Sequence, residues 1–464
     1  MRVLMATAEL TPLASTGGLG AAVSGLVRAL RSRGDLEVEL VLPDYGGVEL
    51  GGETVLDLSV PSWAGWARAR SGTHPTNDAL HLVSVPAMAR PHPYVDPVTG
   101  VAWADNDRRF FSYCAGVAAL AEELDVDVVH INDWHTAAVL PLLAEPRPSV
   151  LTIHNLAYQG NADAMWLDLL GPRSVPYRRY DHTIPLAGAI ASADRVIAVS
   201  PNYANEIRTP EGGMGLYEDL VARGDDLVGI RNGIDVEMWD PSTDTDLPTT
   251  YDRGSLGDRP TNTAALRRQL GLAESSGPLI GTVTRFTHQK GVDRVLALTP
   301  YLAGMDAQLV ILGSGDPDLA AAGAAAAAAD PARVALIDDY DPVLAHRIFG
   351  AADLFAMPSR FEPCGLAQMQ AMQYGCLPVV TDVGGLHDTV IDLDADDDAG
   401  TGFVAVTNDD LGWLDAVHRA VRGWCDLDRR RRAQRNGMSD DWSWDEPAAE
   451  HVAIYREITG SLEA

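Results

Sequence analysis

Short apolar runs alternate with amphipathic stretches along the whole chain, a pattern that predicts strands separated by helices. In the first half, residues 2–6, 38–42, 126–131, 149–153 and 195–198 read as buried strands. In the second half, residues 279–283, 307–312, 334–337, 354–357 and 378–381 read the same way. Runs with so few polar interruptions fit strands of a parallel sheet covered by helices on both faces. A polar stretch rich in Gly, Pro and Thr, from Asp240-Pro241 to about residue 262, reads as a linker between the halves. The expected fold is therefore α/β, with two Rossmann-like domains and ligands held in a cleft at the carboxyl ends of both sheets. The alanine-rich segment 320–329 reads as helix with no chemistry of its own.

Composition narrows the function classes. The chain has 464 residues, enough for two to four domains, and a formal net charge of −30. That charge argues against a nucleic-acid partner, which needs a basic face. No apolar run approaches the length that spans a bilayer, so no membrane partner is expected. The N-terminus MRVLMATAEL reads as a first core strand rather than a signal peptide. Four cysteines, Cys114, Cys364, Cys376 and Cys425, show no CxxC spacing and suit a reducing cytoplasm. The acidic tract 392–398 lacks the Gly and final Glu of a calcium loop and reads as solvated. The run Arg429 to Arg432 reads as an exposed helix face.

Candidate chemistry gathers at strand ends. Of the 35 cationic side chains only Lys290 is a lysine, and it lies with Arg285 just after the strand 279–283. A cationic pair there faces the mouth of the sheet, although a surface lysine kept by chance would look the same. Ser15-Thr16-Gly17-Gly18-Leu19-Gly20 follows the first strand and opens a helix, as a weak anion-binding signal. Asp133, between His130 and His135 at the end of one strand, and His154 at the end of the next, offer two polar strand ends that suit hydroxyl groups better than a metal. Glu362 precedes Pro363-Cys364-Gly365-Leu366 and a helix expected over 367–374. Its carboxylate can accept two hydroxyl hydrogen bonds, while backbone N–H groups at the turn can bind phosphate; alone it would be a helix cap. Gly384-Gly385 repeats the turn after the next strand.

Together, STGGLG, HINDWHTA, TIHNLAYQG, SPNYANEI, GIRNGIDVEMWDP, TRFTHQKGVD, SRFEPCGL and VGGLHDTV resemble the glycogen and starch synthases, retaining glycosyltransferases of the GT-B fold. The resemblance implies domains at 1–245 and 262–444, with a last helix from 445 to 464 returning to the first domain. It implies that Arg285 and Lys290 hold a donor diphosphate and that Glu362 binds donor-sugar hydroxyls. Backbone amides around Gly17 and Gly18, Cys364, Gly365 and Leu366, and Gly384 and Gly385 would face phosphate. Asp133 and His154 would line the reacting sugar, Asn232 lies in the matching NGID segment, and Tyr340 would stack on the base. No metal and no cofactor is implied beyond a nucleoside-diphosphate donor used as substrate.

Two departures shape the expected specificity. The family's first motif begins with lysine where this chain has Ser15, and its Asp-Val is replaced by Gly20-Ala21-Ala22-Val23. Ahead of Gly384 the family often carries an arginine, where this chain has Thr381-Asp382-Val383. These losses favour an altered specificity, such as a pseudoglycosyltransferase that couples a nucleotide-activated cyclitol to an amino-sugar oligosaccharide. The alternative is an ordinary synthase extending α-1,4-glucan from ADP-glucose onto an oligosaccharide acceptor. A catalytically inactive glucan-binding protein is a third reading, opposed by the joint presence of Arg285, Lys290, Glu362 and His154.

Overall fold

The computed structural model describes residues 1–460, so 461–464 of the expected last segment lie outside the described residues. The chain forms two compact units: Met1–Gly233 with the segment from Trp444 onward, and Ile234–Ser443.

The first unit begins with β1 (Arg2–Ala6), β2 (Glu37–Pro43), β3 (Gly51–Leu58), β4 (Ala67–His74), β5 (Asp78–Ser84), β6 (Val128–Asn132) and β7 (Ser149–Ile153). A small three-stranded sheet follows, made of β8 (Ala162–Asp163), β9 (Arg178–Arg179) and β10 (His182–Thr183). Then come β11 (Arg195–Ala198) and β12 (Leu227–Gly229). The main sheet has nine strands in the order β12-β11-β7-β6-β1-β2-β5-β4-β3. Within it β4 alone runs opposite to the other strands. All five strands expected in this half are present, but the β3–β5 arm was not expected. Its outer strand β3 is exposed along nearly its whole length, and Gly51, Gly52, Glu53 and Asp57 break the apolar pattern that marks a buried strand.

Helix α1 (Gly18–Ser32) lays Leu19, Val23, Leu26, Val27 and Leu30 onto a core that includes Val3, Met5, Val38 and Leu40. The helix Asp445–Ile458 joins the same core through Val452 and Tyr455. Trp444 packs so closely on Gly25 of α1 that a Cβ there would lie 2.1 Å from its ring nitrogen. Tyr455 hydroxyl meets His130 Nδ1 at 2.7 Å inside the core.

The second unit carries β13 (Leu279–Val283), β14 (Gln308–Gly313), β15 (Val334–Asp338), β16 (Leu354–Met357), β17 (Leu377–Thr381) and β18 (Phe403–Ala405). They form a parallel sheet in the order β15-β14-β13-β16-β17-β18. The order reverses at β13, so the crevice beyond the ends of β13 and β16 is where an open α/β sheet binds ligands. No helix among the described residues is long and apolar enough to cross a membrane.

Two expectations are corrected. First, the first unit ends at Gly233 rather than 245, and the stretch read as a linker is packed into the second unit. Trp239 stacks on His346 at 4.1 Å, Asp244 accepts from Tyr374 hydroxyl at 2.5 Å, and Tyr251 hydroxyl donates to Tyr374 O at 2.8 Å. The stretch looks like a linker because its polar groups are many and mostly exposed, yet Asp244, Tyr251 and Arg259 bond inward. Second, the arginine run is half-buried rather than an exposed helix face, because it meets the acidic tract, which is the exposed loop expected but carries paired carboxylates. Arg419 pairs with Asp392 and Asp394, and Arg429 pairs with Asp394 and Asp397, which also meets Arg432.

Candidate active site

In the second unit the segment after β13 is fastened to the segment after β16. Arg360 N donates to Gln289 O at 2.8 Å, while the Arg360 guanidinium forks onto Asp293 at 2.9 and 2.7 Å. Gly291 adopts a left-handed conformation (φ 67°), and a Cβ there would lie 2.2 Å from Pro358 O. Glycine is required at this crossing, and it brings the two strand ends side by side. Lys290 Nζ consequently donates to Glu362 Oε2 at 2.5 Å, and Ser359 hydroxyl donates to the same oxygen at 3.0 Å. The Glu362 side chain is 5% exposed and that of Lys290 19%. A buried carboxylate held this way keeps its other oxygen as an acceptor.

The turn beyond Glu362 is held by glycines as well. Gly365 has φ 74°, and Gly384 has φ 42° with room for a Cβ only 1.9 Å from Glu362 O. Gly385 N donates to Glu362 O at 3.1 Å, and a Cβ on Gly385 would lie 2.1 Å from Cys364 O. One pocket has Thr284, Lys290, Ser359, Gly365 and Leu366 on its wall. Cys364 is buried beside it, and Gln368 Nε2 donates to Cys364 O and Gly365 O at 3.1 Å each. Arg285 is exposed, with no ion-pair partner among the described residues. Tyr340 follows β15 and is 84% exposed. Asp382, in the segment where the family often has arginine, faces His387 at 2.7 Å.

In the first unit the ends of β6 and β7 meet through Asp133. Its Oδ1 accepts from His154 N at 2.7 Å and Asn155 N at 3.3 Å. Asp133 sits at φ 56°, ψ −173°, a conformation that costs a non-glycine residue on the order of 1–3 kcal/mol and is common at functional sites. Burial pushes its carboxyl up to about 7, against the downward pull of the two backbone N–H groups; Glu9 adds to the rise. Burial brings His154 down to about 3, and nearby His451 adds to the fall. Asn132 Nδ2 donates to Ala6 O at 2.9 Å, so its Oδ1 must be the acceptor for His154 Nε2 at 2.8 Å. The proton of neutral His154 is therefore on Nε2, and Nδ1 offers a lone pair. Asn232 is 9% exposed and lines a small cavity with Asn132, His154 and His451.

The loop 15–17 runs into α1, whose N-cap is Gly17 and whose N-terminus has no side-chain cap. Among the described residues, the Ser15 hydroxyl makes hydrogen-bond contacts only with Thr11 Oγ1 at 3.4 Å and Gly17 O at 3.5 Å. Instead the loop is held by Glu9, which was not singled out from the sequence. Asn132 also has no pattern of its own to mark it inside HINDWH, where two histidines and an acid carry the chemical signal. One group of three, Asp244, Asp246 and His346, lies close enough to hold a metal, but Asp244 and His346 already hydrogen-bond each other at 2.8 Å.

The family model described as starch synthase catalytic domain matches residues 2–222, and that described as glycosyl transferases group 1 matches residues 264–439. A glycogen synthase of Halorhodospira halophila is 40% identical across 99% of this chain and 100% of its own. A glycogen synthase of Anaeromyxobacter dehalogenans is also 40% identical, over 99% of this chain and 100% of that one. Among solved structures, the catalytic domain of starch synthase IV from Arabidopsis thaliana bound to ADP and acarbose superposes with a TM-score of 0.88. It is 32% identical, and 99% of each chain is covered. Sucrose-phosphate synthase from Thermosynechococcus elongatus shares the fold, with a TM-score of 0.63 over 99% of this chain and 100% of that one, at 18% identity.

Proposed function

Because this chain belongs to the glycogen and starch synthase family of glycosyltransferases, we propose that it extends an α-1,4-glucan by transferring glucose from ADP-glucose with retention at the anomeric carbon. The observation that carries this reading is the paired Lys290 and Glu362 at the mouth of β13 and β16, with glycine-held turns around them. The cyclitol-coupling reading gives way to the ordinary synthase. Likeness to glycogen synthases extends over 99% of the chain at about 40% identity, and the starch synthase that superposes on this chain carries ADP.

In the proposed reaction, the bond between the anomeric carbon and the diphosphate oxygen breaks as the acceptor hydroxyl oxygen bonds to the same face of that carbon. The acceptor's proton passes to the leaving phosphate, so charge and atoms balance with no metal. Negative charge grows on the departing ADP. Lys290 and the amides of Gly365 and Leu366 are fixed before reaction and, with the exposed guanidinium of Arg285, stabilise it. Glu362 accepts hydrogen bonds from donor-sugar hydroxyls. Asp133 and the Nδ1 lone pair of His154 do the same for the reacting sugar, and Tyr340 stacks on the base. The product glucan is digested by α-amylase, and turnover persists in EDTA. A product resistant to the amylase, or complete loss of turnover in EDTA, would contradict retention or metal independence respectively.

The missing lysine fits this reading. Ser15 removes an ammonium but leaves the backbone turn in place, because Glu9 rather than residue 15 holds it. Ser15→Lys should raise kcat/KM for ADP-glucose by about 3- to 10-fold, as one charge-assisted contact of about 1 kcal/mol is added. An unchanged or lower value in steady-state assays would show that the lost charge has no bearing on the donor.

A further inference from the structure

We propose that Glu9 is a positioning residue for this reaction: its buried carboxylate fixes the 15–17 turn and so holds the N-terminus of α1 open towards the donor phosphates. The inference rests on the phosphate-facing role that the resemblance implies for Gly18; the Gly17 amide does not share it, because its N–H donates to Glu9.

Glu9 is 5% exposed and has no ion-pair partner among the described residues. A buried carboxylate without a cation is costly unless hydrogen bonds fill its lone pairs. Here four do. Oε2 accepts from Thr16 N at 2.7 Å and Gly17 N at 3.1 Å. Oε1 accepts from Thr16 hydroxyl at 2.8 Å and Tyr94 hydroxyl at 2.9 Å. The bonded backbone donors belong to Thr16 and the N-cap Gly17, which lie before the first helical residue. The carboxylate thus shapes the entry to α1 while the N–H groups of Gly18 and its successors stay uncapped by any side chain. A capping carboxylate one residue further on would occupy the anion's place instead.

Tyr94 carries the same scaffold onward. Its ring stacks on His135 at 4.8 Å, beside Asp133 at the end of β6. The titratable groups around Glu9 and Asp133 are Tyr45, His92, Tyr94, His135 and His154. Burial keeps the tyrosines protonated and His135 and His154 neutral, and it pulls His92 down too. Glu9 is therefore the nearby group whose charge bears on Asp133, adding to the rise that burial causes against the pull of the two backbone N–H groups.

Two variants of the full chain test the proposal. Glu9→Ala removes the acceptors. It should lower kcat with ADP-glucose by about 100-fold through misplacement of the turn, and speed amide exchange at residues 16–18 at least about tenfold while the melting transition stays cooperative. Glu9→Gln can keep the geometry, with its oxygen on the two backbone N–H groups and its amide donating to the Thr16 and Tyr94 hydroxyls. It should retain slow exchange at 16–18, yet move the limb of the kcat pH profile that belongs to Asp133 to lower pH, since a negative neighbour is gone. A residue that served only to stabilise the fold would leave that limb in place. Wild-type kcat, KM and pH profile in both variants would overturn the proposal, as would unaltered exchange at 16–18 in Glu9→Ala. Absence of glucosyl transfer by the wild-type chain would instead count against the proposed function, and the exchange measurement would still decide the role of Glu9 in the loop.

Discussion

Lys290→Met turns over ADP-glucose at about one-hundredth to one-thousandth of the wild-type rate, the usual loss when one preorganised group facing transition-state charge is removed. Methionine keeps the length and apolar stem of lysine but delivers no charge to the leaving diphosphate. Arg285 does not compensate, because it stands exposed and without an ion-pair partner among the described residues while Lys290 is fixed at 2.5 Å from Glu362. The substitution also leaves the buried Glu362 carboxylate without its cation, so a loss of up to about 3 kcal/mol in stability accompanies the loss of rate. Single-turnover kinetics and thermal unfolding on the same preparation check both parts. A rate within about threefold of wild type would remove Lys290 from the leaving-group role.

Glu362→Gln lowers kcat/KM for ADP-glucose by about 100-fold, because a charge-assisted acceptor for sugar hydroxyls becomes a weaker neutral amide. The double variant separates structure from chemistry. With Lys290→Met and Glu362→Gln together, neither unpaired charge remains, and the melting temperature should recover most of what Lys290→Met alone loses. Turnover should not recover. Recovery of both would mean that the pair serves only the fold. Loss of neither rate nor stability in Glu362→Gln would show that the carboxylate meets no sugar.

Much of this site was legible because strand ends in a parallel sheet carry its chemistry. The run 279–283 is too apolar to be anything but a covered strand, and Arg285 and Lys290 follow it directly. The run 354–357 does the same for Glu362. What was not legible depends on contacts between distant segments. Nothing in the sequence shows that Gly291 crosses Pro358, and that crossing brings Lys290 to Glu362. Glu9 was passed over because a lone acid after an apolar strand has no pattern to mark it; its role appears only when the chain folds back and offers it Thr16, Gly17 and Tyr94. The β3–β5 arm was hidden because an exposed edge strand gains little from apolar residues. The stretch 241–262 misled through its polarity, since Asp244 and Tyr251 bond inward rather than to water.

Likeness to the glycogen and starch synthases favours the ordinary synthase over an altered specificity, and the missing lysine misleads for a related reason. Loss of the first-motif lysine was weighed as the loss of a site, whereas the backbone turn that presents N–H groups survives without it. A side chain can be missing while the peptide geometry that binds an anion stays fixed by a residue elsewhere.

The central claim, glucosyl transfer from ADP-glucose to a growing α-1,4-glucan, is tested most directly by incubating the protein with ADP-glucose and a defined maltooligosaccharide and following the products by mass spectrometry. The account predicts a ladder in which each step adds one glucose unit, with one ADP released per unit. A static maltooligosaccharide with no ADP release, while a nucleotide-activated cyclitol is coupled to an acceptor under the same conditions, would contradict it.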